Sequence, residues 1–140
     1  MKNKLRNSKR ILSMYLFTLL CLLLFSGCSQ NETITEINYM QITAKEAKNI
    51  MDNETDYIIL DVRTEEEFSE GHINGAILIP DYKITEKAEE ILTDKDQLIL
   101  VYCRSGRRSK LAADSLATMG YTNIKEFGGI IDWPYGVVTK

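Results

Sequence analysis

Three runs of consecutive apolar residues constrain the fold of this chain more than any other feature of its sequence. They are Tyr57–Leu60, Ala76–Ile79 and Leu98–Tyr102, and weaker strand patterns lie at Tyr39–Ile42 and Ile124–Phe127. A run without polar alternation is typical of a strand that is buried on both faces. Segments with helical periodicity separate these strands. The sequence therefore predicts an α/β fold, a single domain with a small parallel sheet and helices on both of its faces.

End signals mark the boundaries of the predicted helices. Thr43 and Thr64 are each followed three residues later by a glutamate, which is the pattern of a capping box at a helix N-terminus. The helix that follows Thr64 is expected to end near Gly71. Two further helices are predicted, one from a stripe at Ile84, Ala88, Ile91 and Leu92, and one that begins near Ser109 and ends at Gly120.

The first 28 residues have the pattern of an export signal. Residues 1–10 carry five basic side chains and no acidic one, residues 11–25 carry no charge, and Ser26-Gly27-Cys28 follows. The uncharged run is short for a membrane span, which needs about 20 apolar residues. The Ser-Gly-Cys ending resembles the lipobox of bacterial lipoproteins, with Phe25 at the position where that motif usually has leucine.

The lipobox resemblance implies that the chain is cleaved before Cys28 and that Cys28 then carries a lipid. We therefore expect residues 1–27 to be a lipoprotein signal peptide, residues 28–37 a lipidated cysteine with its tether, and residues 38–140 a single folded domain. Acyl chains would hold the exported protein on the outer face of the cell membrane. An uncleaved N-terminal anchor is the alternative, and it would place the domain on the same side of the membrane.

The charge balance argues against nucleic acid as a partner. Removal of residues 1–27 takes away five of the 17 Lys and Arg residues and none of the 20 Asp and Glu residues, which leaves a formal charge of −8. Proteins that bind nucleic acid need a basic face. Four cations nevertheless cluster within a short segment and indicate a local anion site: Arg104, Arg107, Arg108 and Lys110.

Cys103 is the candidate nucleophile. The other cysteines, Cys21 and Cys28, lie in the signal segment and at the expected lipid site, so Cys103 would be the single free thiol of the processed chain. Exported proteins usually pair their cysteines, so a lone one indicates a reactive thiol. We expect nearby cations and helix N–H groups to lower the pKa of Cys103. Because unpaired buried cations are very costly, the adjacent arginines also predict that Cys103 is not buried.

The segment Cys103–Arg108 has the composition of an anion-binding loop. Gly106 permits a positive φ, which allows successive N–H groups to point inward. The arginines add forked donors that suit oxyanions, and the following helix directs its positive end toward the same point. A bound anion would repel a thiolate beneath it, so the arrangement indicates that the anion is the substrate under attack.

Taken together, the motifs resemble those of single-domain rhodaneses, which are thiosulfate sulfurtransferase-like domains. The resemblance spans residues 38–140 and depends on four segments in this order: Leu60–Arg63 with Glu67-Phe68, Gly71–Ala76, Cys103–Ser109, and Gly128-Gly129 with Trp133. It implies that Cys103 takes the outer sulfur of a small anionic donor such as thiosulfate. The resulting persulfide would pass this sulfur to a thiol or to cyanide.

The same resemblance implies roles for the neighbouring residues. By position, the substrate-binding loop would consist of Arg104, Ser105, Gly106, Arg107 and Arg108, with Arg104 and Arg107 at the sulfonate end of the donor. Asp61 and Arg63 would give mainly structural support. The reaction implies no cofactor, and a single histidine leaves no multi-histidine metal site, so we expect no metal. We also expect the protein to be a monomer.

Two other functions are open to a chain with this loop. One is a non-catalytic lipoprotein module that binds persulfide or docks to a partner. The other is an enzyme similar to a phosphatase or an arsenate reductase. Such enzymes need a longer loop with an arginine six residues after the cysteine, where this chain has Ser109. The shorter loop suits a sulfur atom on Cys103 better than a tetrahedral oxyanion.

Overall fold

Five parallel strands form the sheet in the computed structural model, which describes residues 38–139. In chain order they are β1 (Met40–Gln41), β2 (Tyr57–Asp61), β3 (Ile77–Leu78), β4 (Leu98–Cys103) and β5 (Ile124–Gly129). Their spatial order is β1-β5-β4-β2-β3, so β4 is the central strand, with β5 on one side and β2 on the other. The predicted parallel sheet is confirmed. The expected signal peptide and the lipidated tether lie outside the described residues.

Four helices connect the strands. They are α1 (Ala44–Asn53), α2 (Glu65–Glu70), α3 (Ile84–Ile91) and α4 (Arg107–Thr118), and 3₁₀ turns lie at Asp81–Lys83 and Ile130–Asp132. Both predicted capping boxes are present, at Thr43 and at Thr64. Within residues 38–139, no helix combines the length and the apolarity that crossing a membrane requires.

Two details of the predicted helices were wrong. α4 begins at Arg107, two residues before the expected start near Ser109, because Gly106 with its φ of 95° turns the chain directly into the helix. On α3, Ile91 is 43% exposed, although the predicted stripe placed it in the core. Leu92, the first residue after α3, is buried instead.

The central strand supplies both hydrophobic cores of the domain. All six residues of β4 are buried, and alternate side chains point to opposite faces of the sheet. One face packs against α3 and α4 and carries Ile99, Val101 and Cys103. The other face packs against α1 and carries Leu98, Leu100 and Tyr102. Helices therefore cover both faces, as the sequence predicted, and Cys103 lies on the face that α4 covers.

Gly129 allows the loop after β4 to lie directly on β5. The pairing of β4 with β5 shifts register before Cys103, which is then paired with Gly129. A Cβ atom on Gly129 would lie 2.3 Å from the carbonyl oxygen of Arg104 and 2.6 Å from the Cα of Ser105. The backbone of Gly129 is extended, so its dihedral angles suit any residue. The need for glycine here is therefore one of space.

We predict that Gly129→Ala displaces the 104–106 loop. Because the added methyl group meets backbone atoms, the substitution should lower the free energy of unfolding by about 3 kcal/mol, at the upper end for overpacking. Urea denaturation measures this change. Gly128→Ala is the matched control, since Gly128 has a φ of 90° but open space around it. This control should cost about 1 kcal/mol through backbone strain alone. An equal cost for both variants would contradict the packing argument.

Candidate active site

The carboxyl ends of three neighbouring strands bring the predicted site residues to one edge of the sheet. β2 ends at Asp61, β4 ends at Cys103, and β5 ends at Gly129. Residues 104–106 then form the turn into α4. Ligands of open parallel sheets bind at this edge. Cys103 therefore lies at the edge where such sheets bind their ligands.

Cys103 is buried, which corrects the expectation that the adjacent arginines keep it at the surface. Its exposed fraction is 1%, and it belongs to the core beneath α3 and α4. Arg104 and Arg107 are exposed, and Arg108 is half-buried. The expectation failed because neighbouring residues at the end of a strand need not share an environment. The sulfur faces the interior, while long arginine side chains can keep their charged groups in water.

Backbone N–H groups and one hydroxyl surround the buried sulfur. The N–H of Gly106 donates to Cys103 Sγ at 3.1 Å, and Ser109 Oγ lies 3.4 Å from the same atom. Burial raises the pKa of Cys103, but hydrogen bonds from the Ser109 side chain and from the N–H groups of Ser109, Ser105 and Gly106 outweigh it, so this pKa lies below its ordinary value. The direction agrees with the sequence prediction. Hydrogen bonds, rather than the arginines, are the principal cause.

Gly106 joins the loop to the N-terminus of α4. It has a φ of 95°, which confirms the predicted positive φ, and it offers no side chain to cap the helix. The first N–H groups of a helix have no partner within it. Cys103 Sγ accepts hydrogen bonds from N–H groups in this region and so takes the place of a capping oxygen. A negative charge on the sulfur would therefore be stabilised by the positive end of α4.

Two buried polar residues of the site, Ser109 and Glu126, are missing from the sequence-based assignment of site residues. Ser109 is fully buried and Glu126 is 2% exposed, and Ser109 Oγ donates to Glu126 Oε1 at 2.6 Å. One signal could have identified Glu126. It follows the buried Ile124 by two residues on β5, so both side chains lie on the same face of the strand. A carboxylate at such a position needs a buried partner.

Arg108 is paired with a carboxylate of α2. Its two terminal nitrogens donate to the two carboxylate oxygens of Glu67, each at 2.7 Å. These hydrogen bonds from Arg108 lower the pKa of Glu67 to about 2, and the same contact raises the pKa of Arg108. The pair links α4 to α2 and compensates the charge of Arg108. Of the three arginines expected to bind substrate, Arg104 and Arg107 remain exposed.

Asp61 and Arg63 form a buried ion pair beside the site. Arg63 Nη2 donates to Asp61 Oδ2 at 2.6 Å and to the carbonyl oxygen of Gly71 at 2.7 Å. Burial lowers the pKa of Arg63, but the hydrogen bond and the charge of Asp61 raise it by more. The pair ties the end of β2 to the turn that follows α2. This arrangement is consistent with the structural support that the resemblance implied.

An open cavity of about 420 Å³ adjoins the loop. The residues that line it include Arg63, Glu67, Glu70, Arg104, Ile130 and Ile131. Arg104 therefore belongs both to the loop that follows Cys103 and to the wall of this cavity. The mixed lining of charged and apolar side chains gives room for a small anion or for the tip of a larger thiol compound.

Metal ligands do not cluster in the part of the chain that the structure describes. Among residues 38–139, no three His, Cys, Asp or Glu side chains are grouped so that they could hold a metal ion. His72, the single histidine, stacks on Phe68 with a ring separation of 3.8 Å. Cys28, the expected lipidation site, lies outside the described residues.

Comparisons with known proteins agree with the fold. A profile of the family described as rhodanese-like domain matches residues 43–133. Thiosulfate sulfurtransferase PspE of Escherichia coli is 38% identical over 73 residues, which cover 52% of this chain and 70% of that protein. A sulfurtransferase of Allochromatium vinosum is 38% identical over 79 residues, or 56% of this chain and 72% of that protein. The solved structure of a rhodanese with anions from E. coli matches with a TM-score of 0.57 at 34% identity and covers 60% of this chain and 99% of that chain.

We predict that Glu67→Gln destabilises the protein by about 1 kcal/mol at neutral pH, because a partly exposed bidentate ion pair is lost. The pKa of Glu67 falls from 4.5 to about 2 on folding. The stabilisation is therefore complete above pH 4.5 and disappears as the pH falls toward 2. Urea denaturation over this range should show the wild type losing its advantage. Glu70→Gln, an exposed carboxylate on the same helix, is the control and should change stability little at any pH. A pH-independent difference for Glu67→Gln would refute the assignment.

Proposed function

The chain belongs to the rhodanese-like domain family, and from this premise we propose that it is a sulfurtransferase that moves a sulfane sulfur through a persulfide on Cys103. The donor is a small anion such as thiosulfate, and the acceptor is a thiol or cyanide. Relatives named as sulfurtransferases support sulfur transfer in general terms. The observation that carries the proposal is the buried Cys103 sulfur, which accepts hydrogen bonds from the start of α4 and has a lowered pKa.

The proposed reaction has two steps. The Cys103 thiolate attacks the outer sulfur of thiosulfate, a new S–S bond forms, and sulfite leaves with the electron pair of the bond that breaks. The persulfide anion keeps the charge that the thiolate carried. An acceptor thiolate or cyanide then attacks the outer sulfur of the persulfide, and Cys103 is released as a thiolate. This is covalent catalysis in which the enzyme alternates between two forms.

The geometry of the site suits the charge that is present at each step of this reaction. The N–H of Gly106 and the N-terminus of α4 would hold the negative charge of the thiolate and then of the persulfide. We assign Arg104 and Arg107 to the sulfonate end of the donor, because both side chains are exposed beside the loop. The related E. coli structure is described as a rhodanese with anions, which supports an anionic donor. Arg108, with its charge compensated by Glu67, would mainly shape the loop.

A specific contact disfavours phosphatase-like chemistry. Enzymes of that kind would need an arginine at the position of Ser109. Here Ser109 is fully buried and its hydroxyl lies 3.4 Å from Cys103 Sγ. The loop outside regular structure comprises only residues 104–106. These features support a loop that fits one additional sulfur atom.

We predict that incubation of the full chain with thiosulfate adds one sulfur to Cys103, seen by mass spectrometry, and that added cyanide yields thiocyanate. Cys103→Ser should abolish both results, because the hydroxyl is a far weaker nucleophile and leaving group. Cys21→Ala and Cys28→Ala are the controls, and each should retain full sulfur transfer. Sulfur transfer by Cys103→Ser, or none by the wild type, would disprove the proposal. Loading of Cys103 without thiocyanate formation would identify a persulfide-binding module instead.

We also propose that the protein is exported and anchored to the outer face of the cell membrane by a lipid on Cys28. This proposal is supported by the basic, apolar and Ser-Gly-Cys segments that precede the domain. The sulfur-transfer site would then act on donors and acceptors outside the cytoplasm.

We predict that the chain, expressed in a bacterial host with a labelled fatty acid, incorporates the label and sediments with membranes. Cys28→Ala should abolish incorporation of the label, because the thiol that accepts the lipid is absent. Cys21→Ala is the matched control within the same segment and should leave the label in place. Labelling that persists in Cys28→Ala would rule out this lipid site.

A further inference from the structure

Glu126 is a buried carboxylate that the proposed reaction does not use. It lies on β5 with an exposed fraction of 2%. Its Oε1 atom accepts hydrogen bonds from Ser109 Oγ at 2.6 Å and from the N–H of Gly128 at 2.9 Å. The carboxylate thus faces the same hydroxyl that contacts the Cys103 sulfur.

The hydroxyl of Ser109 has one proton and four acceptors within reach. Glu126 Oε1 lies at 2.6 Å, the carbonyl oxygen of Gly106 at 3.0 Å, and the carbonyl oxygen of Gly128 and Cys103 Sγ each at 3.4 Å. A hydroxyl donates one hydrogen bond, and an ionised carboxylate is the strongest of these acceptors. An ionised Glu126 therefore competes with the sulfur for the Ser109 proton and weakens the hydrogen bond that this hydroxyl gives to Cys103.

The charges of Glu126 and Cys103 also oppose each other. Ser109 Oγ lies 3.4 Å from Cys103 Sγ and 2.6 Å from Glu126 Oε1. The distance between the carboxylate oxygen and the sulfur therefore cannot exceed the sum of these two distances. Two negative charges this close in a buried site disfavour each other, as in carboxylate pairs that share one proton. Other titratable groups near the pair are Tyr39, which feels the charges of Glu126 and Asp114, and Arg108, which interacts with Cys103 but is held by Glu67.

We propose that Glu126, acting through Ser109, is a positioning residue that restrains the ionisation of Cys103. The charge of Glu126 opposes the charge of a thiolate and competes for the Ser109 hydroxyl, so it partly offsets the hydrogen bonds that Cys103 receives from the start of α4. Removal of that charge leaves the hydroxyl of Ser109 free to donate to the sulfur and favours the thiolate. The functional meaning of this restraint depends on the proposed function, because it limits how much of Cys103 is ready to attack a sulfur donor.

The test is the ultraviolet absorbance of the Cys103 thiolate as a function of pH in the full chain. Subtraction of the same variant with Cys103→Ala removes the signals of the other cysteines and the tyrosines. Glu126→Gln keeps an oxygen that can accept from Gly128 but removes the charge. We expect the midpoint of thiolate formation to fall by about one pH unit. An unchanged or raised midpoint would overturn the proposal, since a merely structural role does not lower it.

Two further variants test whether the effect of Glu126→Gln on thiolate formation depends on Ser109. Asp114→Asn removes an exposed carboxylate of α4 and is the matched charge control, so its midpoint should stay at the wild-type value because solvent screens the charge. In a Ser109→Ala background the shift caused by Glu126→Gln should shrink, because only direct repulsion remains. An undiminished shift in that background, or an equal shift for Asp114→Asn, would contradict a specific path through Ser109.

A reciprocal measurement does not depend on the folding of any Glu126 variant. In the wild type with carbon-13 glutamate, the carboxyl signal of Glu126 should shift as Cys103 ionises. Cys103→Ala should abolish this shift, because coupling between two sites acts equally in both directions. Identical titration curves in the two proteins would disprove the coupling. Neither titration uses a sulfur donor, so a failure of sulfur transfer leaves this result intact.

Discussion

The rest of the site depends on the hydrogen bonds that hold a buried sulfur at the N-terminus of α4. A thiolate with 1% exposure would be strongly disfavoured by burial alone. The N–H of Gly106 and the first N–H groups of α4 donate the hydrogen bonds that water would otherwise give to the sulfur. The sulfur thereby accepts hydrogen bonds from N–H groups that have no partner within the helix. The turn at Gly106, the start of the helix and the lowered pKa of Cys103 therefore depend on the same hydrogen bonds.

This arrangement needs the sheet beneath it. Because β4 is the central strand and alternates between two cores, Cys103 points toward the helix that its own loop leads into. The loop can close over β5 only because Gly129 has no side chain to occupy the space of the Arg104 and Ser105 backbone. The stability of the sheet and the shape of the loop are thus linked through this contact. The atoms on the loop side belong to the backbone, so they cannot move aside as a flexible side chain could.

Carboxylates determine which cations are free at the edge of the sheet. Asp61 holds Arg63 in a buried pair, and Glu67 holds Arg108 on the surface of α4. Arg104 and Arg107 stay exposed beside the loop. Glu126 acts on the other side, in the interior, where the Ser109 hydroxyl connects it to the sulfur. The site therefore separates exposed cations from a buried network that contacts the sulfur.

The sequence alone determined the fold class, the two helix starts that have capping boxes and the candidate nucleophile. Apolar runs such as Leu98–Tyr102 and capping boxes such as Thr43 with Glu46 are local signals, in which the interacting residues lie within a few positions of each other. The positive φ of Gly106 is local for the same reason.

Only the tertiary structure decided that Cys103 is buried, that Arg108 is compensated and that Glu126 faces the site. Ser109 and Glu126 are 17 residues apart, and Arg108 and Glu67 are 41 residues apart. Such contacts depend on which strands are neighbours and which face each side chain takes. Those choices are made by packing the whole chain around one sheet, and no short segment contains them.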